Sequence, residues 1–172
     1  MAGNDLEFRV GLGHDTHRLV PGVPLVLGSL VIPYDFGLLG HSDGDIVLHA
    51  LTDALLGAAA MGDIGELFPD TDSQWAGAPS SIFVTTARNK LTAEGWRVGN
   101  VDVVIHAEKP KLSPFKTKMK NALANLLEIS PDCVNIKAKT GEKVGTVGLG
   151  DAMECQIVVM IQRPSRPTLL TF

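Results

Sequence analysis

The 172-residue chain has little cysteine, no excess of positive charge and no long apolar run. Each absence excludes a class of protein. Two cysteines, Cys133 and Cys155, cannot build a disulfide framework, and neither lies in a CxxC pair. They read as two buried thiols in a reducing compartment. Fifteen Lys and Arg against nineteen Asp and Glu leave a net charge of -4, the wrong sign for a dedicated nucleic-acid binder. The longest apolar stretch, residues 54–62, is far too short to span a bilayer. The first residues carry no basic segment followed by an apolar one, so no secretory signal is read there. The expected location is the cytoplasm, or a plastid-type organelle if a transit peptide has been removed. Repeats, low-complexity tracts and flexible linkers are also missing, which makes residues 1–172 one domain.

Three familiar catalytic signatures are missing as well. Gly11-x-Gly13 follows a strand-like segment, but position 16 is Thr and not a third glycine, so the dinucleotide-binding pattern fails. Neither a Walker A sequence nor a GxSxG nucleophile elbow occurs.

What is present is a 45% hydrophobic chain with punctuated elements, sufficient for a core. Residues 7–13 read as a first strand. Residues 24–33 read as a hairpin, two apolar triplets around Gly28-Ser29. Residues 43–61 carry the strongest helical pattern, with Ser42 or Asp43 as cap, Asp45 in the first turn and Gly62 as terminator. Residues 62–79 are rich in turn formers and read as one long functional loop. A second helix starts at Ser80 or Ser81 and a third covers residues 114–128. Strands are expected at 97–107, 134–139 and 153–162, with a loose tail from Arg163. The class is α/β (α+β), a mixed sheet covered by helices on one face plus a small hairpin.

Four of the five histidines fall within residues 14–49. Asp15 and His17 share a face if the strand continues that far. His49 is four residues from both Asp45 and Asp53, so all three are expected along one line of an otherwise apolar helix. A polar stripe of this kind is costly when buried unless it is paired or bound to metal. Two His and one Asp make a three-donor site with an open position, and Asp45 or Asp53 could orient the imidazole. Spacing alone equally allows a hydrogen-bonded core histidine beside a turn. Residues 139–143, Lys139-Thr140-Gly141-Glu142-Lys143, precede a glycine-rich run and suit either a metal-bound phosphate or a solvated surface turn.

The stretch Leu38-Leu39-Gly40-His41-Ser42-Asp43-Gly44-Asp45, then Leu48-His49-Ala50-Leu51-Thr52-Asp53, then Gly62-Asp63-Ile64-Gly65-x-Leu67-Phe68-Pro69-Asp70-Thr71-Asp72, resembles the 2-C-methyl-D-erythritol 2,4-cyclodiphosphate synthase family. The likeness runs from Val10 to about Ile161 and includes Gly99-Asn100-Val101-Asp102. It implies an enzyme that closes 4-diphosphocytidyl-2-C-methyl-D-erythritol 2-phosphate into the cyclic diphosphate and releases CMP, in non-mevalonate isoprenoid biosynthesis. By position, Asp15, His17 and His49 would hold zinc, and Glu142 a magnesium or manganese ion. His41 and Thr140 would stabilise the transition state. Asp63, Ile64 and Gly65, with Thr16 and Ser42, would contact substrate, and Phe68, Pro69, Asp70, Thr71 and Asp72 would form a cover. Ala107, Glu108, Lys109, Pro110, Lys111, Leu112 and Ser113, together with Lys139 to Glu142, would hold the cytidine diphosphate.

The resemblance further implies a homotrimer with active sites between subunits and a central cavity able to take an isoprenoid diphosphate. Thr146 and Leu149 stand where the family usually has aromatic and basic residues, and a leucine cannot pair with a diphosphate. Lys139 and Gly141 replace frequent threonines. The rival readings are a zinc phosphohydrolase and a non-catalytic isoprenoid-diphosphate-binding trimer.

Overall fold

The computed structural model describes residues 5–165. β1 (Leu6–Pro21) is the longest strand and pairs antiparallel with β7 (Ala152–Pro164) from Leu6↔Pro164 to Arg18↔Ala152. The sheet is completed by β4 (Phe36–Leu38), β5 (Arg97–His106) and β6 (Val134–Lys139), in the order β4-β1-β7-β5-β6. Only the β5–β6 pair is parallel, so the five-stranded sheet is mixed. β2 (Leu25–Leu27) and β3 (Leu30–Ile32) form the expected hairpin. Its turn places Gly28 at φ 58° and Ser29 at φ 64°, the left-handed pair that suits a two-residue hairpin.

Helix α1 (Ile46–Ala59) lies across β1 and β7, and α3 (Ser81–Ala93) packs on its outer side. Sandwiched in this way, α1 is buried nearly all round, and His49 and Asp53 are the main polar breaks in its surface. α4 (Lys116–Leu127) covers β6. Gly11 and Gly13 explain the approach of α1. A Cβ on either would overlap the carbonyl oxygen of Ala54 or Ala50. The motif that mimics a dinucleotide loop is therefore a strand–helix contact.

Among the described residues the opposite sheet face carries no helix. Val10 and Leu12 are each 67% exposed there, Phe8 55% and Val158 43%. The alternation along β1 is strict from Phe8 to Arg18, odd-numbered residues toward α1 and even-numbered ones outward.

Several boundaries differ from the sequence expectation. β1 continues eight residues past Gly13, because β7 pairs with it as far as Arg18 and β4 pairs with Leu19 to Pro21. β4 was not expected. The cap of α1 is Asp45, not Ser42 or Asp43. Its carboxylate accepts from Val47 and Leu48 N–H in the helix and from Gly28 and Ser29 N–H in the hairpin turn. Burial raises the Asp45 pKa, and the backbone N–H groups of Ser29, Gly28 and Leu48 work against that rise. Ala60 at φ 57° ends α1 before Gly62 is reached. The expected loop 62–79 contains α2 (Ile64–Leu67) and a single 3₁₀ turn (Ser73–Trp75). The glycine-rich run folds as α5 (Gly145–Leu149).

Arg163 and Pro164 belong to β7 and not to a loose tail, since Arg163 bonds Glu7 and stacks 4.0 Å over the Trp96 ring. The tail expected beyond them lies at residues 166–172, outside the described residues. Both cysteines are free, but only Cys155 is buried; Cys133 is half-buried. Among the described residues no helix is long and apolar enough to cross a membrane.

Candidate metal centre and active-site cavity

β1 extends beneath the first turn of α1, and this places Asp15 and His17 under His49. One donor atom from each of the three lies within 4.8 Å of the others. His49 Nδ1 is 2.9 Å from Asp15 Oδ2, and His17 Nδ1 is 3.1 Å from the same oxygen. The His17 contact is close but misaligned, so this buried nitrogen has no hydrogen-bond partner. The rings are 5.3 Å apart and tilted by 45°. Burial pushes the Asp15 carboxyl up, yet the two imidazoles outweigh it and hold it down to about 2. The same carboxylate raises the His17 pKa against the effect of burial.

Two nitrogens and one carboxylate oxygen, converging with one nitrogen unsatisfied, fit a borderline divalent ion. The group can hold a metal. It opens into a cavity of about 460 Å³. Of the substrate-contacting residues that the resemblance implies, His41, Ser42, Ile64, Gly65, Phe68, Pro69 and Asp70 line that cavity. Among the remaining residues of that set, Asp63 caps α2 through the Glu66 N–H and does not line the cavity. Thr71 and Asp72 lie outside it, and Asp72 caps the 3₁₀ turn instead. Thr16 points to the opposite face of the sheet, beside His14 at 3.4 Å, because its neighbours Asp15 and His17 take the inner one.

The proposed orienting carboxylates are a correction. Asp45 is the helix cap and its oxygens face backbone donors, so it is not in line with His49 and Asp53. Asp53 lines the cavity, but its carboxylate accepts from Ile64 N–H and ties down α2. Burial raises the Asp53 pKa. His49 Nε2 is instead met by Ser42 Oγ and Ser80 Oγ, each at 2.8 Å.

The second residue set gathers at the other side of the sheet, where β5 and β6 end. Ala107 N–H donates to Lys139 O, which joins the two strand ends. Glu108 accepts from Gly141 N–H at 3.1 Å, and Thr140 donates to Glu142 Oε1 at 2.6 Å. Glu142 and Lys143 hold left-handed φ of 50° and 62°, unfavourable for residues with a Cβ. Gly141 and Gly148 let this loop lie on α5, since a Cβ on either would meet the backbone opposite. β7 separates this cluster from Asp15 in the sheet, and none of its residues lines the metal cavity.

The profile of the YgbB family matches residues 8–162. The chain belongs to that family. A YgbB relative from Dechloromonas aromatica, 2-C-methyl-D-erythritol 2,4-cyclodiphosphate synthase, is 51% identical over 92% of this chain and 99% of its own. The bifunctional enzyme IspD/IspF of Albidiferax ferrireducens is also 51% identical, and here the chain spans only 38% of the longer protein. A solved synthase in its CDP-bound form superposes with a TM-score of 0.83 at 39% identity, covering 89% of this chain and 99% of that one.

Trp75 and Phe83 line the cavity too, and Ser80 lies behind His49. Phe68, Trp75 and Phe83 form an aromatic cluster with centroids 4.5 to 5.8 Å apart. Trp75 and Phe83 read in sequence as ordinary apolar residues of a loop and a helix. Ser80 reads as a helix cap. Only the fold brings it to His49.

Proposed function

We propose that the protein converts 4-diphosphocytidyl-2-C-methyl-D-erythritol 2-phosphate to 2-C-methyl-D-erythritol 2,4-cyclodiphosphate with release of CMP. The observation that carries this is the Asp15–His17–His49 group opening into the cavity, in a chain so similar to named synthases. The 2-phosphate oxygen attacks the β-phosphorus as the bond to the α-phosphate oxygen breaks. CMP leaves with that electron pair, and no water is consumed.

Asp15, His17 and His49 hold zinc, and Glu142 holds magnesium or manganese; when bound, these ions supply Lewis acidity and neutralise the phosphates. The chain's own task is positioning, because both reacting groups sit on one molecule. His41, at the cavity rim, and Thr140 stabilise charge as it moves. Asp63 and Gly65 hold the methylerythritol hydroxyls beside Ile64, and residues 68–72 cover them and exclude water. Residues 107–113 and 139–142 hold the cytidine diphosphate.

This division requires two chains. The bare apolar sheet face supports a homotrimer whose assembly sets the β5–β6 end of one subunit against the metal cavity of the next. Bacterial relatives and a chloroplastic relative from rice support a cytoplasmic or plastid-type location.

The test is phosphorus NMR of turnover with metal-replete protein and again with chelator. Two coupled cyclic-diphosphate resonances plus CMP support the cyclase. Orthophosphate identifies a phosphohydrolase, and no turnover with retained isoprenoid-diphosphate binding identifies a binding protein.

A further inference from the structure

Ser80 stands at the start of α3, where a serine oxygen normally accepts from the free N–H groups of the first turn. Here it makes no such bond. The residue is wholly buried, and its hydroxyl is turned toward α1 and the loop before it. Ser80 Oγ lies 2.5 Å from Asp43 Oδ1, and Ser80 N–H donates to Asp43 Oδ2 at 3.0 Å. A carboxylate only accepts, so the single hydroxyl proton of Ser80 is directed to Asp43. What Ser80 turns toward His49 Nε2, 2.8 Å away, is therefore a lone pair. Nε2 must donate.

We infer that Ser80, oriented by Asp43, is a positioning residue that fixes the His49 proton on Nε2 and so presents Nδ1 as the metal donor. The inference rests on the metal assignment of Asp15, His17 and His49. Nδ1 is the nitrogen that faces Asp15 Oδ2 at 2.9 Å. Two acceptors so close need a cation between them, and that requirement and the open donor set coincide. Ser42 Oγ stands 2.8 Å from Nε2 and 3.2 Å from Ser80 Oγ, a second oxygen on the same proton.

Asp43 is itself fixed by two backbone contacts. Its Oδ1 accepts from Asp45 N–H, and its own N–H donates to Ala78 O. His41 O accepts from Gly77 N–H one step further along. The backbone carrying the cavity residues His41 and Ser42 is thereby zipped to residues 77–80, and the orientation of the metal ligand depends on that zipper.

The experiment uses the full chain, stripped and reloaded with zinc, and reads two quantities other than turnover. The first is zinc affinity by competition with a chromophoric chelator. Ser80→Ala and Asp43→Asn are each expected to weaken it by about tenfold or more, the usual cost of losing the group behind a ligand. Ser80→Thr keeps the hydroxyl and is expected to restore most of the affinity. Ser81→Ala, on the neighbouring residue, should match wild type. The second is long-range proton–nitrogen NMR of the zinc-loaded protein. Wild type should show a slowly exchanging His49 Nε2–H, and Ser80→Ala should exchange it quickly.

Wild-type His49 protonated at Nδ1 overturns the inference. So does a Ser80→Ala protein with unchanged affinity and an unchanged Nε2 proton. If Asp15→Ala leaves zinc affinity intact, the metal assignment itself has failed, a result visible before any Ser80 variant is made. Should Ser80→Ala not fold, Asp43→Asn carries both measurements.

Discussion

The two residue clusters of this chain are built on opposite plans. The metal cavity is enclosed from within: β1 supplies a floor, α1 a wall, and Phe68, Trp75 and Phe83 a side. Its polar groups face one another or the space between them. The cluster where β5 and β6 end is open. Glu142 and Lys139 are exposed, and two residues with side chains hold left-handed backbone there. A site complete in one subunit can be assembled by folding alone. Under the proposed trimer, the open cluster is the one that assembly completes.

Removing a metal ligand should have the largest effect. His49→Ala and Asp15→Ala are expected to lose turnover by about a thousandfold or more, with loss of bound zinc measured by atomic absorption. Full turnover in His49→Ala would falsify the assignment. Next is Val10→Lys on the bare face, expected to yield monomers in analytical ultracentrifugation. These should still bind zinc yet turn over at least about a hundredfold more slowly, which separates folding from assembly. A fully active monomer would break the comparison between the clusters.

Glu142→Gln should lower turnover by roughly a hundredfold while zinc content stays at wild-type level, as expected if the second cluster acts independently of the first. Gly13→Ala should destabilise the fold by about 2–4 kcal/mol in urea unfolding, because its methyl would overlap the α1 backbone.

The smallest effect is on pH dependence. His17 has a raised pKa, so its imidazolium persists above 6.5, and under the proposed assignment zinc must displace that proton. Asp15 stays ionised down to about 2 and is not limiting. The rise in Tm on adding zinc should therefore grow as pH increases from below 6.5 to well above it. In the metal-free protein the His17–Asp15 contribution runs the other way. It is present in full below 6.5 and fades as pH rises through the raised value. A zinc-induced Tm gain independent of pH would remove His17 from the site.

The sequence pattern was informative where chemistry and periodicity coincide. Asp15 and His17 alternate correctly for a strand, and His49 interrupts an apolar helix, so their convergence was legible. Asp45 misled, because i, i+4 spacing counts only inside a helix and Asp45 is the cap before its first turn. Ser80 was legible as a helix start and not as a partner of His49, because a cap and a buried relay use the same residue type. β4 and the full length of β1 were hidden because their pairing depends on β7 and the β1 terminus, far away in sequence. The helix-free face was anticipated. Its apolar row was not, since Phe8, Val10 and Leu12 resemble any strand until the other side is seen to be filled.

That row and the candidate ligands Asp15 and His17 share one strand, odd positions inward and even positions outward. β1 therefore carries a reading frame. Deleting one residue between Leu12 and Asp15 would turn both ligands out to solvent with no change of composition. Two deletions would preserve the facing but draw the ligands one pleat away from His49. Substitutions in this segment can be tolerated one at a time, whereas a change of length cannot.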